Sequence, residues 1–323
     1  MKSLCIKVPK EDGEMTRKKL IELGAINRNL KIKSEGENLL IPVICGAEGL
    51  GTVFTEDFGI IEKEESIAQL LGYTPAYEQI GDIALIDRHE PDAQKIAEAL
   101  VRQKKIKTVL RSETPVDGEF RTRGLSIIAG EEKTETLYRE NGCRYRLDIS
   151  RVYFTPRLST ERMRIAEQIH PGDRIVDMFA GVGPFSILIA KKFPSAHVIA
   201  IDKNPDAIKY LKENIKLNKV SNIDVREGDA REAVKGITDV DHVIMNLPHT
   251  GIEFLGAALE IIRKGGIVHL YAISHEDCLF DELLRKITKI AGSFGLEVIP
   301  VCKRIVRPYA PYQHNICIDF KVI

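Results

Sequence analysis

The sequence predicts an α/β protein. A mostly parallel, doubly wound sheet is expected over residues 156–323, preceded by two smaller α+β domains at 1–70 and 71–155. Three observations lead there. From about residue 161, short β-rich runs alternate with helical spacing, which marks a parallel sheet with crossover helices. The last two strand-like runs follow one another with no helix between them, which places an antiparallel hairpin at one edge of the sheet. The first 155 residues lack that alternation and mix period-2 runs with single helices.

In chain order, Leu4-Cys5-Ile6-Lys7-Val8 alternates as a strand, residues 13–24 space Met15, Leu20, Ile21 and Leu23 as a helix, and residues 39–44 read as a strand. A glycine-rich, turn-rich stretch follows at 46–59. In the second domain, residues 79–86 read as one strand, 92–104 as a helix with a lysine-rich exit, and 108–111, 125–130 and 143–148 as strands. In the third, strands are expected at 174–178, 197–202, 223–225, 242–246 and 267–273. Helices are expected at 185–193, 205–218, 252–263 and 277–294, and the closing strands at 297–306 and 315–322.

The chain has 323 residues, 44% apolar and 29% charged, with 47 basic and 47 acidic side chains. That balance excludes a histone-like or tail-driven polyanion binder. No apolar run approaches the roughly 18 residues of a membrane span, and the N-terminus lacks a signal-peptide core. The six cysteines are scattered without a Cys-x-x-Cys, which argues against a disulfide framework or zinc site and fits a reducing cytoplasm. Charge is uneven, however. Residues 95–164 hold 16 basic and 10 acidic residues, a net of +6, and are rich in arginine: Arg111, Arg121, Arg123, Arg139, Arg144, Arg146, Arg151, Arg157, Arg162 and Arg164. Such a cluster fits a nucleic-acid surface, while any single arginine equally fits an ordinary ion pair.

Four motifs fall at the carboxyl ends of the predicted parallel strands, where such sheets bind nucleotide-like ligands. In Asp177-Met178-Phe179-Ala180-Gly181-Val182-Gly183-Pro184-Phe185, a strand enters a Gly-x-Gly turn and then a helix. Ser186 stands where a dinucleotide fingerprint needs its third glycine, and Pro184 removes an N–H that a pyrophosphate would use. Both disfavour a nicotinamide-dependent dehydrogenase. Asp202 ends the next strand and can accept two ribose hydroxyls, or else cap the helix starting at Pro205. Asp229, in Gly228-Asp229-Ala230-Arg231, can meet an adenine amine or simply form a cap. Asn246-Leu247-Pro248 ends the fourth strand. There an amide can read a base edge and a proline stiffens the backbone.

In this order, the four motifs resemble class I S-adenosylmethionine-dependent methyltransferases. A closer resemblance runs through Gly118-Glu119-Phe120-Arg121-Thr122-Arg123, Ala129-Gly130-Glu131 and Val152-Tyr153-Phe154-Thr155-Pro156-Arg157-Leu158-Ser159-Thr160-Glu161-Arg162. These runs, with the motifs above, look like the archaeal and eukaryotic tRNA (guanosine-37 N1)-methyltransferases. The resemblance implies S-adenosylmethionine bound by Asp177, Phe179, Ala180, Gly181, Val182, Gly183, Asp202, Asp229 and Asn246. It implies tRNA as partner, with the first domain at the elbow, the anticodon stem-loop in the site and the second domain completing that site. Nothing in the sequence demands an oligomer, so a cytoplasmic monomer is expected.

The chemistry assigns roles beside that resemblance. N1 of guanine carries a proton, and negative charge develops on O6 as it leaves. Glu161 is the base the family match favours; by itself it reads as a first-turn acid after a Ser159 or Thr160 cap. Arg121 is the O6 partner or a phosphate-binding arginine. Tyr153 stacks on the base or belongs to the core. Asn246 and Pro248 hold the guanine edge. His170, His242 and His269 have no metal-ligand spacing and read as structural. Arg304, Arg307 and Tyr309 touch RNA or line a solvated loop. A wybutosine-pathway aminocarboxypropyl transferase and a non-catalytic RNA-binding relative remain as alternatives.

Overall fold

The computed structural model describes residues 1–45, 49–61, 66–103 and 105–323. The start of the glycine-rich stretch, residues 46–48, and the lysine at 104 that ends the predicted second-domain helix lie outside the described residues. Contacts divide the chain into Met1–Leu70 and Leu71–Ile323.

The first unit is a four-stranded antiparallel sheet. β1 (Lys2–Pro9) is followed by α1 (Gly13–Glu22), β2 (Lys33–Glu35), β3 (Asn38–Val43) and β4 (Thr52–Asp57), in spatial order β2-β3-β1-β4. Its core is Ile6, Val8, Leu20 and Ile41, the inward residues of β1, α1 and β3. β4 falls inside the stretch expected to be turns. It is an edge strand with only partly buried side chains, so its sequence carries no apolar alternation to reveal it. A short helix, α2 (Ile67–Leu71), closes this part of the chain.

The second unit begins with β5 (Glu78–Ile80), β6 (Ile83–Ile86), α3 (Ala93–Val101), β7 (Thr108–Ser112) and β8 (Leu125–Gly130), a sheet ordered β5-β6-β7-β8. The single strand expected over 79–86 is a hairpin. Gly81 turns the chain at φ +61°, and a Cβ there would fall 2.2 Å from Thr136 Oγ1. β9 (Glu135–Glu140) and β10 (Cys143–Asp148) form a separate ribbon.

The second unit continues with α4 (Ser159–Ala166). Next come β11 (Arg174–Asp177), α5 (Pro184–Lys192), β12 (His197–Asp202), α6 (Pro205–Asn218), β13 (Ile223–Glu227), α7 (Ala230–Ala233), β14 (Val240–Met245), α8 (Leu255–Ile261) and β15 (Ile262–His275). α9 (Asp281–Ser293), β16 (Val298–Ala310) and β17 (Gln313–Val322) complete it. The seven strands run β13-β12-β11-β14-β15-β17-β16, parallel through β15, with β17 antiparallel to β15 and β16 at the edge. The expected edge hairpin is present. The helix expected over 252–263 is shorter, because Ile262 and Arg263 already belong to β15.

Residues 71–155 share one apolar core with this sheet. Ile83, Leu110, Tyr145 and Leu147 pack in the same cluster as Ile165, Phe185, Ile187 and Leu211. The β10 edge is closed by amides on α6 rather than by another strand. Asn214 Oδ1 accepts from Arg146 N at 2.7 Å and its Nδ2 donates to Arg146 O at 3.0 Å. Asn218 does the same for Arg144, at 2.9 and 2.6 Å. Asn214 also donates to Val182 O in the glycine turn, at 3.1 Å. Replacing the fully buried Asn214 by Ala strands three backbone groups, so Asn214→Ala should destabilise the protein by about 2–4 kcal/mol. An unfolding free energy from urea titration within about 0.5 kcal/mol of wild type would contradict this.

Candidate active site

A cavity of about 560 Å³ opens at the carboxyl ends of β11, β12, β13 and β14. One half is built by the glycine turn. Gly181 adopts φ +56°, and a Cβ on it would meet no atom closer than Tyr153 O at 4.0 Å, so the turn leaves open space for a ligand to approach the backbone. Gly181 N donates to Asp202 Oδ2 at 2.6 Å, and Asn204 N donates to Asp202 Oδ1 at 2.8 Å. Asp202 therefore ties two strand ends together. The cap of α6 is Asn204, whose Oδ1 accepts from Asp206 N at 2.9 Å. Burial raises the Asp202 carboxyl above its ordinary value. Asp229 also lines the cavity, and it is a cap as well. It accepts from Arg231 N at 3.0 Å and from the Arg231 guanidinium at 2.7 and 2.9 Å, which holds its carboxyl down at about 2. Phe179 meets Phe254 edge-on at 5.1 Å, with Arg231 over the Phe254 ring, making an aromatic wall beside Asp229.

The other half faces β14. Asn246 reaches the cavity with Oδ1 buried and without a partner. The loop after it is pinned by Leu247 O accepting from Gly251 N (2.7 Å) and Pro248 O accepting from Ile273 N (3.0 Å). Arg121 lines the same cavity, and its guanidinium sits 4.8 Å from the centre of the Tyr153 ring. Arg121 holds φ +54°, an uncommon conformation for a side chain of its size. Burial and the Arg121 charge together push His249 below the ordinary imidazole value. His249 in turn packs edge-on against Tyr309 of β16.

Ten predicted site residues thus line one cavity: Arg121, Tyr153, Phe179, Ala180, Gly181, Val182, Asp202, Asp229, Asn246 and Pro248. Three do not. Gly183 caps α5 at φ +89°, a left-handed conformation that favours glycine, and a Cβ there would press on the side-chain ends of Leu211 and Ile187 rather than face the cavity. Asp177 is fully buried behind the turn and accepts from Ser186 Oγ at 2.7 Å. Glu161 lies in the first turn of α4, also behind the wall. Its carboxylate receives Tyr271 OH at 2.9 Å and the Arg164 guanidinium at 2.6 Å, with Arg304 Nε at 3.4 Å. The expected Ser159 or Thr160 cap is absent. Ser159 is already helical, and Thr155 caps the preceding 3₁₀ turn.

Behind Glu161 a buried polar chain continues. Arg164 pairs with Asp319, Asp319 with His269 at 2.8 Å, and His269 with His242 at 3.1 Å. Burial alone would raise the Asp319 carboxyl, but hydrogen bonds with His269 and Arg164 outweigh it and hold it well below the carboxylate range. Burial, with His269 alongside, depresses His242 to about 3. These two histidines are structural, as the sequence implied.

The arginine-rich segment offers less charge than its sequence promised. Arg162 is buried on Glu140 at 2.7 Å, Arg164 is taken by Glu161 and Asp319, and Arg111 and Arg144 donate to the carbonyls of Arg88 and Leu217. Arg146, Arg151 and Arg157 form exposed ion pairs. Burying a basic side chain requires a partner, and a count by segment cannot see that.

Burial, with the charge of Asp202 adding to it, raises Asp177 from 3.8 to about 7. Between those values the folded protein keeps a proton that the unfolded chain has lost, so this contribution is full at low pH and is lost as pH rises through about 7. Asn cannot titrate. From pH 4 to 8 the wild type should therefore lose stability relative to Asp177→Asn, by at most about 4 kcal/mol. Parallel pH profiles for the two proteins in urea unfolding would contradict this.

The TRM5/TYW2 methyltransferase domain matches residues 136–299, the tRNA methyltransferase 5 N-terminal domain residues 5–51, and the TYW2 N-terminal domain residues 61–134. The tRNA (guanine(37)-N(1))-methyltransferase Trm5b of Pyrococcus abyssi is 44% identical over 332 residues, covering 99% of each chain. A solved complex of aTrm5 with tRNALeu superposes with a TM-score of 0.70 at 34% identity, covering 98% of this chain and 99% of that one. TYW2 of M. jannaschii in complex with AdoMet superposes with a TM-score of 0.62 at 29% identity, over 76% of this chain and 99% of that one. Cavity, sheet order and sequence agree: the chain belongs to the TRM5/TYW2 family of methyltransferases.

Proposed function

We propose that this chain transfers the methyl group of S-adenosylmethionine to N1 of guanosine 37 in tRNA, the reaction named for its Pyrococcus abyssi relative. The observation that carries the reading is the pairing of two half-sites in one cavity: an open glycine turn with Asp202 and Asp229, and Arg121 on Tyr153 facing Asn246.

The residues present fit the cofactor. The open face of Gly181 admits close approach of a ligand, Asp202 offers carboxylate oxygens for ribose hydroxyls, and the Phe179–Phe254 wall suits an adenine ring. Bound there, S-adenosylmethionine supplies an electrophilic methyl group on a sulfonium. The chain's own residues do the rest. Arg121, positioned by Tyr153, donates to O6 as negative charge develops there. Asn246 Oδ1 accepts from the guanine edge, which relieves its buried, unpaired state. Pro248 and Tyr153 confine a base swung out of its loop. Glu161 takes the N1 proton. For that, its carboxylate, held behind the cavity wall on Tyr271, Arg164 and Arg304, must turn toward the base.

We also propose that the N-terminal unit, which matches the tRNA methyltransferase 5 N-terminal domain, meets the tRNA elbow, and that the protein acts as a monomer. A transcript carrying guanosine 37 should accept one methyl group, and the same transcript with adenosine there should accept none. Equal methylation of both would overturn the reading.

A further inference from the structure

One strand of the terminal hairpin runs from the cavity wall into the buried polar cluster behind it. Side chains alternate along β17, so Asn315, Cys317 and Asp319 share a face. Asn315 lines the cavity, whereas Cys317 and Asp319 lie beside Tyr271 and His269, their partners on β15. That face meets Arg164 of α4 and, through it, Glu161.

The Arg164 guanidinium is divided between two carboxylates. Its Nε donates to both Glu161 oxygens, at 3.0 and 3.1 Å, and its Nη2 donates to Glu161 Oε1 at 2.6 Å. Its Nη1 donates to Asp319 Oδ2, and its Nη2 reaches Asp319 Oδ1 at 3.3 Å. A planar guanidinium offers more than one edge, and here each acid occupies its own. The Glu161 and Asp319 side chains are 3% and 1% exposed, and that of Arg164 is 16% exposed. Asp319 is also fixed independently of Arg164. It accepts from His269 Nδ1 at 2.8 Å and from Gln168 Nε2 at 3.3 Å.

Glu161 cannot turn to a base, or become neutral by accepting a proton, without Arg164 losing one counterion. A largely buried cation left with no partner is costly. Asp319 on the other edge prevents that. Arg304 needs no such substitute, because its side chain is 44% exposed and water replaces its partner.

We propose that Asp319 is a positioning residue for methyl transfer: by keeping Arg164 paired, it frees Glu161 to turn to the base and take the N1 proton. This rests on the methyl-transfer reading above, with Glu161 as its base. The groups facing Glu161 are Arg164 on its own helix, Tyr271 on β15, Arg304 on β16, and Cys317 and Asp319 on β17. Burial pushes the Tyr271 hydroxyl and the Cys317 thiol up, so both stay neutral and Asp319 is the other anion. Without Asp319, Glu161 becomes the sole carboxylate on Arg164 and is held there ionised. Without Arg164, the Asp319 charge instead opposes ionisation of Glu161.

The test is the pH dependence of single-turnover methyl transfer to a transcript carrying guanosine 37, with protein and cofactor saturating. The proteins are wild type, Asp319→Asn, Arg164→Gln and the double variant, with thermal midpoint and cofactor affinity reporting their folding. The rate rises with pH as the base ionises. Asp319→Asn, which can still accept from His269, should lower the plateau by roughly 10–100-fold. It should move the acid limb to lower pH by roughly one to two pH units, the effect of one charge about 6 Å away at an effective permittivity near 20. Arg164→Gln should move the limb to higher pH. The double variant replaces a buried ion pair by two amides and should return both limb and plateau toward wild type. An unmoved limb in Asp319→Asn, or a double variant slower than Asp319→Asn, would overturn the proposal. Should Asp319→Asn fail to fold, the double variant must still show its limb at lower pH than Arg164→Gln, and any other order overturns the proposal. A wild type that leaves guanosine 37 unmethylated, or a Glu161→Gln variant with the wild-type rate, would instead overturn the underlying reading, which separates the failures.

Discussion

Glu161→Gln should lower single-turnover methyl transfer by about 10²–10⁴-fold, the range for removing a positioned proton acceptor. Glutamine preserves the shape and can still accept from Tyr271, but its amide cannot take the N1 proton. The same change sets a neutral group against Arg164, inside a buried cluster that also contains Asp319, so some loss of stability accompanies it. Rate and stability are separable. The thermal midpoint and cofactor affinity show whether the variant is folded, and the single-turnover rate then reports chemistry alone. A folded variant transferring at the wild-type rate would show that Glu161 only anchors α4 to Tyr271, Arg164 and Arg304.

Arg121→Ala should slow the chemical step by about 10²–10³-fold, comparable to removing one preorganised donor from an oxyanion site. The guanidinium is fixed by stacking on Tyr153 and by a left-handed backbone, so its placement is set before substrate arrives. Arg121→Lys should recover little, because an ammonium neither stacks in the same way nor presents a planar fork. Tyr153→Leu should give a smaller loss in the same rate. If Arg121→Ala weakens tRNA binding while the single-turnover rate at saturation is unchanged, Arg121 is a phosphate clamp.

The central sheet is legible in the sequence because parallel strands buried on both faces leave short apolar runs, as in His197–Asp202, set off by helices with their own spacing. Edge elements are not. β4 carries polar, half-exposed residues, β9 buries Thr136 and Glu140 while exposing Leu137, and the bend at Gly81 looks like an interruption within one strand. Within the site, residue types at strand ends locate the cavity, but they cannot say which side chains face it. The resemblance places Asp177 on the cofactor and Glu161 on the base, yet each is turned inward onto partners, Ser186 for one and Arg164 for the other. Gly183 reads like Gly181, and only the space around each, open at Gly181 and filled by Leu211 and Ile187 at Gly183, separates packing from ligand approach. Asn315 has no local signal. It is the third residue of β17, just before the apolar run, and its place in the site follows from the hairpin pairing that sets it beside Ile273. Phe254 and His249 are likewise brought in by tertiary contacts, to Phe179 and Tyr309.

The most direct test of the methyl-transfer reading is nucleotide-resolved mass spectrometry of a tRNA transcript incubated with the protein and S-adenosylmethionine. The account predicts one added methyl group, on guanosine 37, at N1 of the base. A methyl group on another nucleotide, or an aminocarboxypropyl group in place of a methyl, would contradict it.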